Sequence, residues 1–344
     1  ETGVASITII IPVRNEEDNI GNLLKDIEQQ NYPKEFLEVI IIDDESSDNT
    51  VLVVKEAVVT YSLNIFSKKK SNIISHKKAA LTQGIEAAKG EYIVTTDGDC
   101  RVPSDWVASI NQSYQTSKSK FIVGLVTFDN EQTLFDEMQT IEFASLIGTG
   151  AASLQAGFPN MCNGANLSFE KKAFYAVGGY GGFEGIQSGD DEFLMHKMHI
   201  AFPGKVSVLK SRGSVVTTEA KESLKEFYNQ RKRWGSKWSH YKLPYIKILA
   251  FYIFLFNASL LAGSVYTMFV PTFLTMLLVC FGFKLLVDYI FLRGVLSFLN
   301  KRLKIKLFLI TSIFYPFYVS FFAVCSNIGG YSWKGRKSTA EAKA

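Results

Sequence analysis

The chain has 344 residues, 47% hydrophobic and 20% charged, with a formal net charge of +4 at pH 7. That length admits one large domain plus a further module. Residues 1–244 carry 26 Lys+Arg against 31 Asp+Glu, whereas residues 245–344 carry 11 against 2. The basic surplus therefore flanks apolar runs while the rest of the chain is acidic, which excludes nucleic-acid binding as its cause. Cys100, Cys162, Cys280 and Cys325 lie far apart, with neither metal-ligand spacing nor a disulfide framework, as in a reducing compartment. No cleavable signal pattern opens the chain.

Strand and helix patterns alternate from the start. Residues 6–12 (SITIIIP) are β-branched and apolar and precede a helix expected over 17–29. Residues 37–42 (LEVIII) run into Asp43-Asp44 and a helix expected over 48–60. A short strand near 63–66 and a helix over 77–89 lead to the apolar run 92–96, which stops at Asp97-Gly98-Asp99. Continuous apolar runs separated by helices predict an α/β fold with a mainly parallel sheet covered on both faces. In such a sheet the three strand ends share one edge, the usual ligand crevice of α/β folds. Hard cations such as Mg²⁺ or Mn²⁺ are often held there by one or two carboxylates plus substrate phosphates. No G-x-G-x-x-G follows the first strand and no P-loop pattern occurs, which argues against dinucleotide and P-loop folds. Lys68-Lys69-Lys70 reads as a solvated loop.

Further on, residues 131–152 read as a helix whose apolar side chains offer either core or a wall for a lipid. The string Asn160-Met-Cys-Asn163-Gly-Ala-Asn166 follows, then Gly178-Gly179 and Ser188-Gly-Asp190-Asp191-Glu192. Acidic residues at the start of a helix favour the positive end of its dipole, and they also suit a general base. His196 and His199 read as structural or surface residues. A helix over 221–241 carries Phe227, Arg231, Trp234, Trp238 and Tyr241 on one face, an interfacial amphipathic pattern.

Residues 248–283 contain no charge and Pro271 divides them, giving spans over 246–269 and 272–292. A third span covers 307–326, and the basic loop 300–306 between the last two is of the kind that stays cytoplasmic. Lys284 and Asp288, four apart within the second span, are expected to pair or to face protein or headgroups. Trp333-Lys-Gly-Arg336 reads as an interfacial anchor. Three spans would put that basic tail outside, against the positive-inside tendency.

Taken in order, Ile11-Pro-Val-Arg-Asn-Glu16, Ile42-Asp-Asp-Glu-Ser-Ser-Asp-Asn-Thr50, Lys77 with Ala80-Leu81, Asp97-Gly-Asp99, Asn163-Gly-Ala-Asn166, Gly189-Asp-Asp191 and Gln230-x-x-Arg233-Trp234 resemble the membrane-bound family 2 glycosyltransferases. These are relatives of cellulose, hyaluronan and chitin synthases and of ceramide glucosyltransferases. The resemblance implies a GT-A fold, a sugar-nucleotide donor expected to be a UDP-sugar, and Mg²⁺ or Mn²⁺. It would have Pro12, Val13 and Asp44 line the nucleotide base site, with Glu16 near the ribose. Lys77 would lie near the diphosphate, Asp97 would face the nucleotide, and Asp99 with Asp97 would hold the metal. Asp191 matches the catalytic base, with Asp190 where many members have Glu. Asn163 and Gln230 fall in substrate-binding motifs, Arg233 would contact the diphosphate, and Trp234 would pack at the acceptor. His76 stands where the family usually has Gly.

The resemblance lays the chain out as a cytoplasmic transferase domain (1–220), an interfacial helix (221–244), three spans (245–328) and a basic tail (329–344), in a bacterial inner membrane. The expected reaction is inverting transfer to a membrane-presented acceptor, with a lipid favoured. The alternatives are a subunit of a processive polysaccharide synthase and a catalytically silent scaffold that binds sugar nucleotides.

Overall fold

The computed structural model describes residues 3–129, 131–333 and 336–338. The chain forms two compact units. The first comprises the chain up to residue 130 with residues 149–219, the second residues 131–148 with those from 220 onward.

In the first unit the strands are β1 (Ile7–Val13), β2 (Leu37–Asp43), β3 (Ser62–Ser67), β4 (Tyr92–Thr95), β5 (Phe121–Val123), β6 (Val126–Phe128), β7 (Leu167–Glu170), β8 (Val206–Val208) and β9 (Val216–Thr218). Seven of them form a sheet in the order β3-β2-β1-β4-β7-β5-β8, and β6 pairs with β9. β7 is antiparallel to both its neighbours, β4 and β5; every other pair in that sheet is parallel. β1 and β2 are almost wholly buried along their length, as continuous Ile/Val runs must be when both faces of a sheet are covered.

The helices of this unit are α1 (Ile20–Glu28), α2 (Thr50–Glu56), α3 (His76–Ala87) and α4 (Trp106–Ser117), then α6 (Lys171–Ala176) and α7 (Asp190–Ala201). Between them in sequence, α5 (Leu134–Gln155) contributes to both units. α3 lies close on β1: a Cβ on Gly84 would sit 2.6 Å from Ile10 Cγ2. Ala80, Leu81 and Ile85 of α3 pack there with Ile10, Ile40 and Ile93. α2 is shorter than the helix expected over 48–60, because Asp48 turns back on Thr50 (Thr50 N to Asp48 Oδ1 3.1 Å) and its β-branched residues hold a helix weakly.

The second unit holds α8 (Leu224–Gly235), α9 (Pro244–Tyr266), α10 (Leu274–Phe298) and α11 (Ile305–Cys325), with a hairpin of β10 (Tyr331–Trp333) and β11 (Arg336–Ser338). α9, the stretch Pro271–Phe298 and α11 are long and apolar enough to cross a membrane. Lys284 pairs with Asp288, and its ammonium lies 5.3 Å from the Tyr315 ring centroid. α8 is shorter than the helix expected over 221–241. Ser223 caps it by accepting from Glu226 N at 3.2 Å, one half of an S-x-x-E capping box. At its other end a Cβ on Gly235 would strike Ser326. Trp238 then falls in a separate 3-10 turn and is exposed. The expected tail over 329–344 lies partly outside the described residues.

Candidate active site

The parallel pairing of β1 with β2 and β4 sets Val13 opposite Asp43 and Ile10 opposite Thr95, so the polar segments after these strands leave one sheet edge. They interlock there. Asp44 N donates to Val13 O at 2.9 Å, and Arg14 Nη1 donates to the carbonyls of Asp44 (2.6 Å) and Glu45 (3.1 Å). Asn15 and Glu45 both take positive φ, 52° and 60°, sparsely populated conformations that cluster at functional sites. Pro12 is half-buried and Val13 buried at the end of β1. Glu16 is buried, with its N–H on Thr50 Oγ1 (2.8 Å) and its Oε2 accepting from Asn19 Nδ2 (3.1 Å). The Asp97–Asp99 turn lies against the same spot: a Cβ on Gly98 would be 3.0 Å from Glu16 Cγ and 3.1 Å from Val13 Cγ1.

Lys77, in the first turn of α3, ties two acidic groups together. Its ammonium is 2.5 Å from Asp97 Oδ1 and 3.9 Å from Asp190 Oδ2. Asp190 and Asp191 open α7. Asp191 Oδ2 accepts from Gly164 N at 3.0 Å, and its Oδ1 accepts from Glu192 N at 2.8 Å. Gly164 is held in turn by Thr95 Oγ1, which donates to its carbonyl at 2.9 Å. A Cβ there would come 3.3 Å from Asp190 Oδ2 and 3.4 Å from Lys77 Nζ. Asn163 accepts from Ala165 N at 2.9 Å and so shapes this turn. Asn166 instead clamps the core, donating to the carbonyls of Leu125 and Ser214 and accepting from Trp106 Nε1.

Charge balance in the cluster is uneven. Burial opposes the Lys77 charge, but Asp97 and Asp190 outweigh it and raise its pKa above the ordinary lysine value. Burial raises the pKa of Asp190; Lys77 pulls it down and Asp191 pushes it up, leaving it above the usual carboxylate value.

Lys68, expected in a solvated loop, and His76 both stand beside Asp44. Lys68 is not a solvated lysine: its ammonium pairs with Asp44 and lies 2.5 Å from His76 Nδ1, which is itself 3.3 Å from Asp44 Oδ1. A long-range carboxylate partner is the reason, and a run of three lysines carries no local signal for it.

Among the described residues no group of three or more His, Cys, Asp or Glu is arranged to hold a metal ion. Asp97 and Asp99 supply two half-buried carboxylates at the sheet edge. This all-oxygen donor set fits Mg²⁺ or Mn²⁺ that take their remaining ligands from water and substrate phosphates. His196 is buried in α7 with Nε2 3.2 Å from Asn160 O, a structural contact.

Gln230, Arg233 and Trp234 belong to the second unit. The intervening Arg231 organises their helix. It pairs with Glu142 of α5, contacts Gln230 Oε1, and lies 4.3 Å from the Phe227 ring centroid and 4.5 Å from that of Trp234. Glu142 Oε1 also accepts from the Tyr318 hydroxyl of α11 at 2.7 Å, and Phe143 stacks on Trp234 at 5.8 Å.

Residues 8–177 match the profile of Glycosyl transferase family 2. Over these residues the chain carries a domain of that family. A poly-beta-1,6-N-acetyl-D-glucosamine synthase of Staphylococcus epidermidis is 28% identical over 177 residues, 51% of this chain and 42% of that protein. The synthase of Staphylococcus aureus (strain MSSA476) is 32% identical over 174 residues, 50% of this chain and 41% of its own. The chain thus spans less than half the length of these relatives. Among solved structures, the mannosyltransferase PcManGT from Pyrobaculum calidifontis, in complex with GDP-Man and Mn2+, matches with a TM-score of 0.54 at 16% identity, covering 94% of this chain and 86% of that one. The fold is GT-A: a Rossmann-like, mainly parallel sheet, followed in this chain by apolar helices.

Proposed function

We propose that this protein is an inverting glycosyltransferase that moves a sugar from a UDP-sugar to an acceptor presented at a membrane. The observation that carries the reading is the cluster around Lys77, with Asp97 at 2.5 Å, Asp190 at 3.9 Å and Asp191 beside it in α7. Pro12, Val13, Glu16 and Asp44 receive the nucleoside, and Lys77 turns its ammonium to the diphosphate. Mg²⁺ or Mn²⁺ on Asp99 and Asp97, when bound, neutralises the charge that builds on the departing diphosphate. Asp191 accepts the proton of the acceptor hydroxyl. The hydroxyl oxygen bonds to the anomeric carbon as the bond to the diphosphate oxygen breaks, so an α-linked donor yields a β-linked product. Asn163 shapes the acceptor side of this pocket. By the family resemblance, Gln230, Arg233 and Trp234 serve the diphosphate and the acceptor.

The relatives are named for a polymer of N-acetylglucosamine. That favours UDP-N-acetylglucosamine as donor and a growing glycan as acceptor over the lipid favoured on sequence alone. On this reading residues 1–220 carry the transferase, with α5 shared between the two units, α8 (Leu224–Gly235) is the interfacial helix, α9 to α11 are the anchor and 329–344 the tail. The basic loop 300–306, of the kind that stays cytoplasmic, favours the cytoplasmic side for the transferase domain.

The test is UDP release by detergent-purified protein from a panel of UDP-sugars with Mn²⁺, with and without β-1,6-linked glucosamine oligomers or lipid extract. Metal-dependent release stimulated by oligomers supports the polymer reading. Stimulation by lipid alone restores the lipid acceptor, and nucleotide binding without release from any donor leaves the scaffold.

A further inference from the structure

Lys78, the neighbour of Lys77 in α3, takes no part in the chemistry above, yet its side chain is fully buried. Its ammonium donates to three backbone carbonyls: Phe183 at 2.9 Å, Ile186 at 2.6 Å and Ser188 at 3.1 Å. A lysine head has three N–H donors and no acceptor, so three carbonyls match its capacity. The same ammonium lies 5.8 Å from the Phe193 ring centroid, and Phe193 stacks on Phe183 at 4.4 Å. Two further bonds join the entry of α3 to the same loop: Ser75 Oγ to Gln187 O at 3.1 Å and Ile74 N to Glu184 O at 3.2 Å. The loop ends at Gly189, which takes φ 79°, and the next two residues are Asp190 and Asp191.

Burying a charge is costly unless its hydrogen bonds are met, and an apolar side chain of similar volume would fill the space with less penalty. A lysine whose three donors fall on three carbonyls of one loop fixes that loop's path. We infer that Lys78 is a positioning residue that holds the segment 183–188 so that Asp190 and Asp191 face Lys77 and Gly164. The first turn of α3 thereby carries two lysines, Lys77 on the acidic site and Lys78 on the backbone that delivers it. This inference rests on the reading of Asp191 as the base.

The test uses full-length protein in detergent with Mn²⁺ and UDP-N-acetylglucosamine, comparing wild type with Lys78→Met. Amide exchange over residues 183–189 should quicken roughly tenfold or more while residues 92–96 keep their protection. The kcat should fall roughly tenfold or more, with KM for the donor nearly unchanged, since a small misplacement of a catalytic group acts on turnover. Unchanged exchange in the loop, or a folded variant with wild-type kcat, overturns the inference. Should Lys78→Met not fold, Lys78→Gln, with two N–H donors for three carbonyls, is measured in the same two ways, and the same results support or overturn the inference. If wild type transfers no sugar, the functional reading fails by itself, and the exchange data still decide whether Lys78 holds the loop.

Discussion

Removing the Glu142 carboxylate tests the packing of the α8 motif most sharply. Arg231 is 3% exposed and Glu142 12% exposed at the side chain, so the pair is almost dry. Burial opposes the guanidinium charge, and Glu142 more than offsets it, raising the Arg231 pKa above its ordinary value. Glu142→Ala leaves that guanidinium buried without its carboxylate and also strips the Tyr318 hydroxyl of its acceptor. Loss of one partner of a buried pair costs about 3–5 kcal/mol. For a domain of this size that corresponds to a Tm lowered by about 10 °C. The companion variant Glu142→Met/Arg231→Met/Tyr318→Phe removes the carboxylate, the guanidinium and the hydroxyl together, and apolar replacement of a buried network is near neutral, within about 2 kcal/mol of wild type. Thermal unfolding followed by tryptophan fluorescence in detergent reports both. A cost below about 1 kcal/mol for Glu142→Ala, the value of an exposed pair, refutes the buried-pair reading. A triple variant as unstable as the single one refutes it equally.

Three other outcomes follow from the site. Asp190 has a folded-state pKa above its unfolded value, so its contribution to stability is present below the unfolded pKa and is lost as pH rises through the folded one. Asp190→Asn should therefore raise Tm at pH 7 and lose that gain as the pH falls below about 4, seen in a Tm series against pH; equal gains at both ends would contradict the assignment. Gly164→Ala crowds Asp190 and Lys77, and a misplaced catalytic group should lower UDP release by roughly tenfold or more with Tm nearly held. Asp99→Asn should weaken Mn²⁺-dependent UDP binding, measured by calorimetry, by roughly tenfold or more, a loss of one hard ligand and one charge; unchanged binding would remove Asp99 from the metal site.

Much of the fold was legible because the strands speak locally. The runs at 7–12, 37–42 and 92–95 are mostly apolar, with Glu38 their one charge, and stop at polar residues, which is enough to infer parallel strands with one shared edge. β7 was not legible: its four residues follow a motif whose Asn166 is spent on clamping Leu125 and Ser214, and nothing in LSFE states that it runs antiparallel. The site divides the same way. Asp97, Asp99, Asp190 and Asp191 announce themselves by type and position at element ends. Lys68, Lys78 and Arg231 do not, because what distinguishes each is a distant partner: Asp44, the 183–188 carbonyls and Glu142. A lysine in a basic run and a lysine inside a helix read as surface until the chain is folded.

Sugar transfer with Asp191 as the base is the central claim, and Asp191→Asn tests it most directly. With UDP-N-acetylglucosamine, Mn²⁺ and acceptor, the variant is expected to bind UDP as wild type does and to release almost none by turnover. Turnover near the wild-type rate in a variant that binds UDP normally would contradict it.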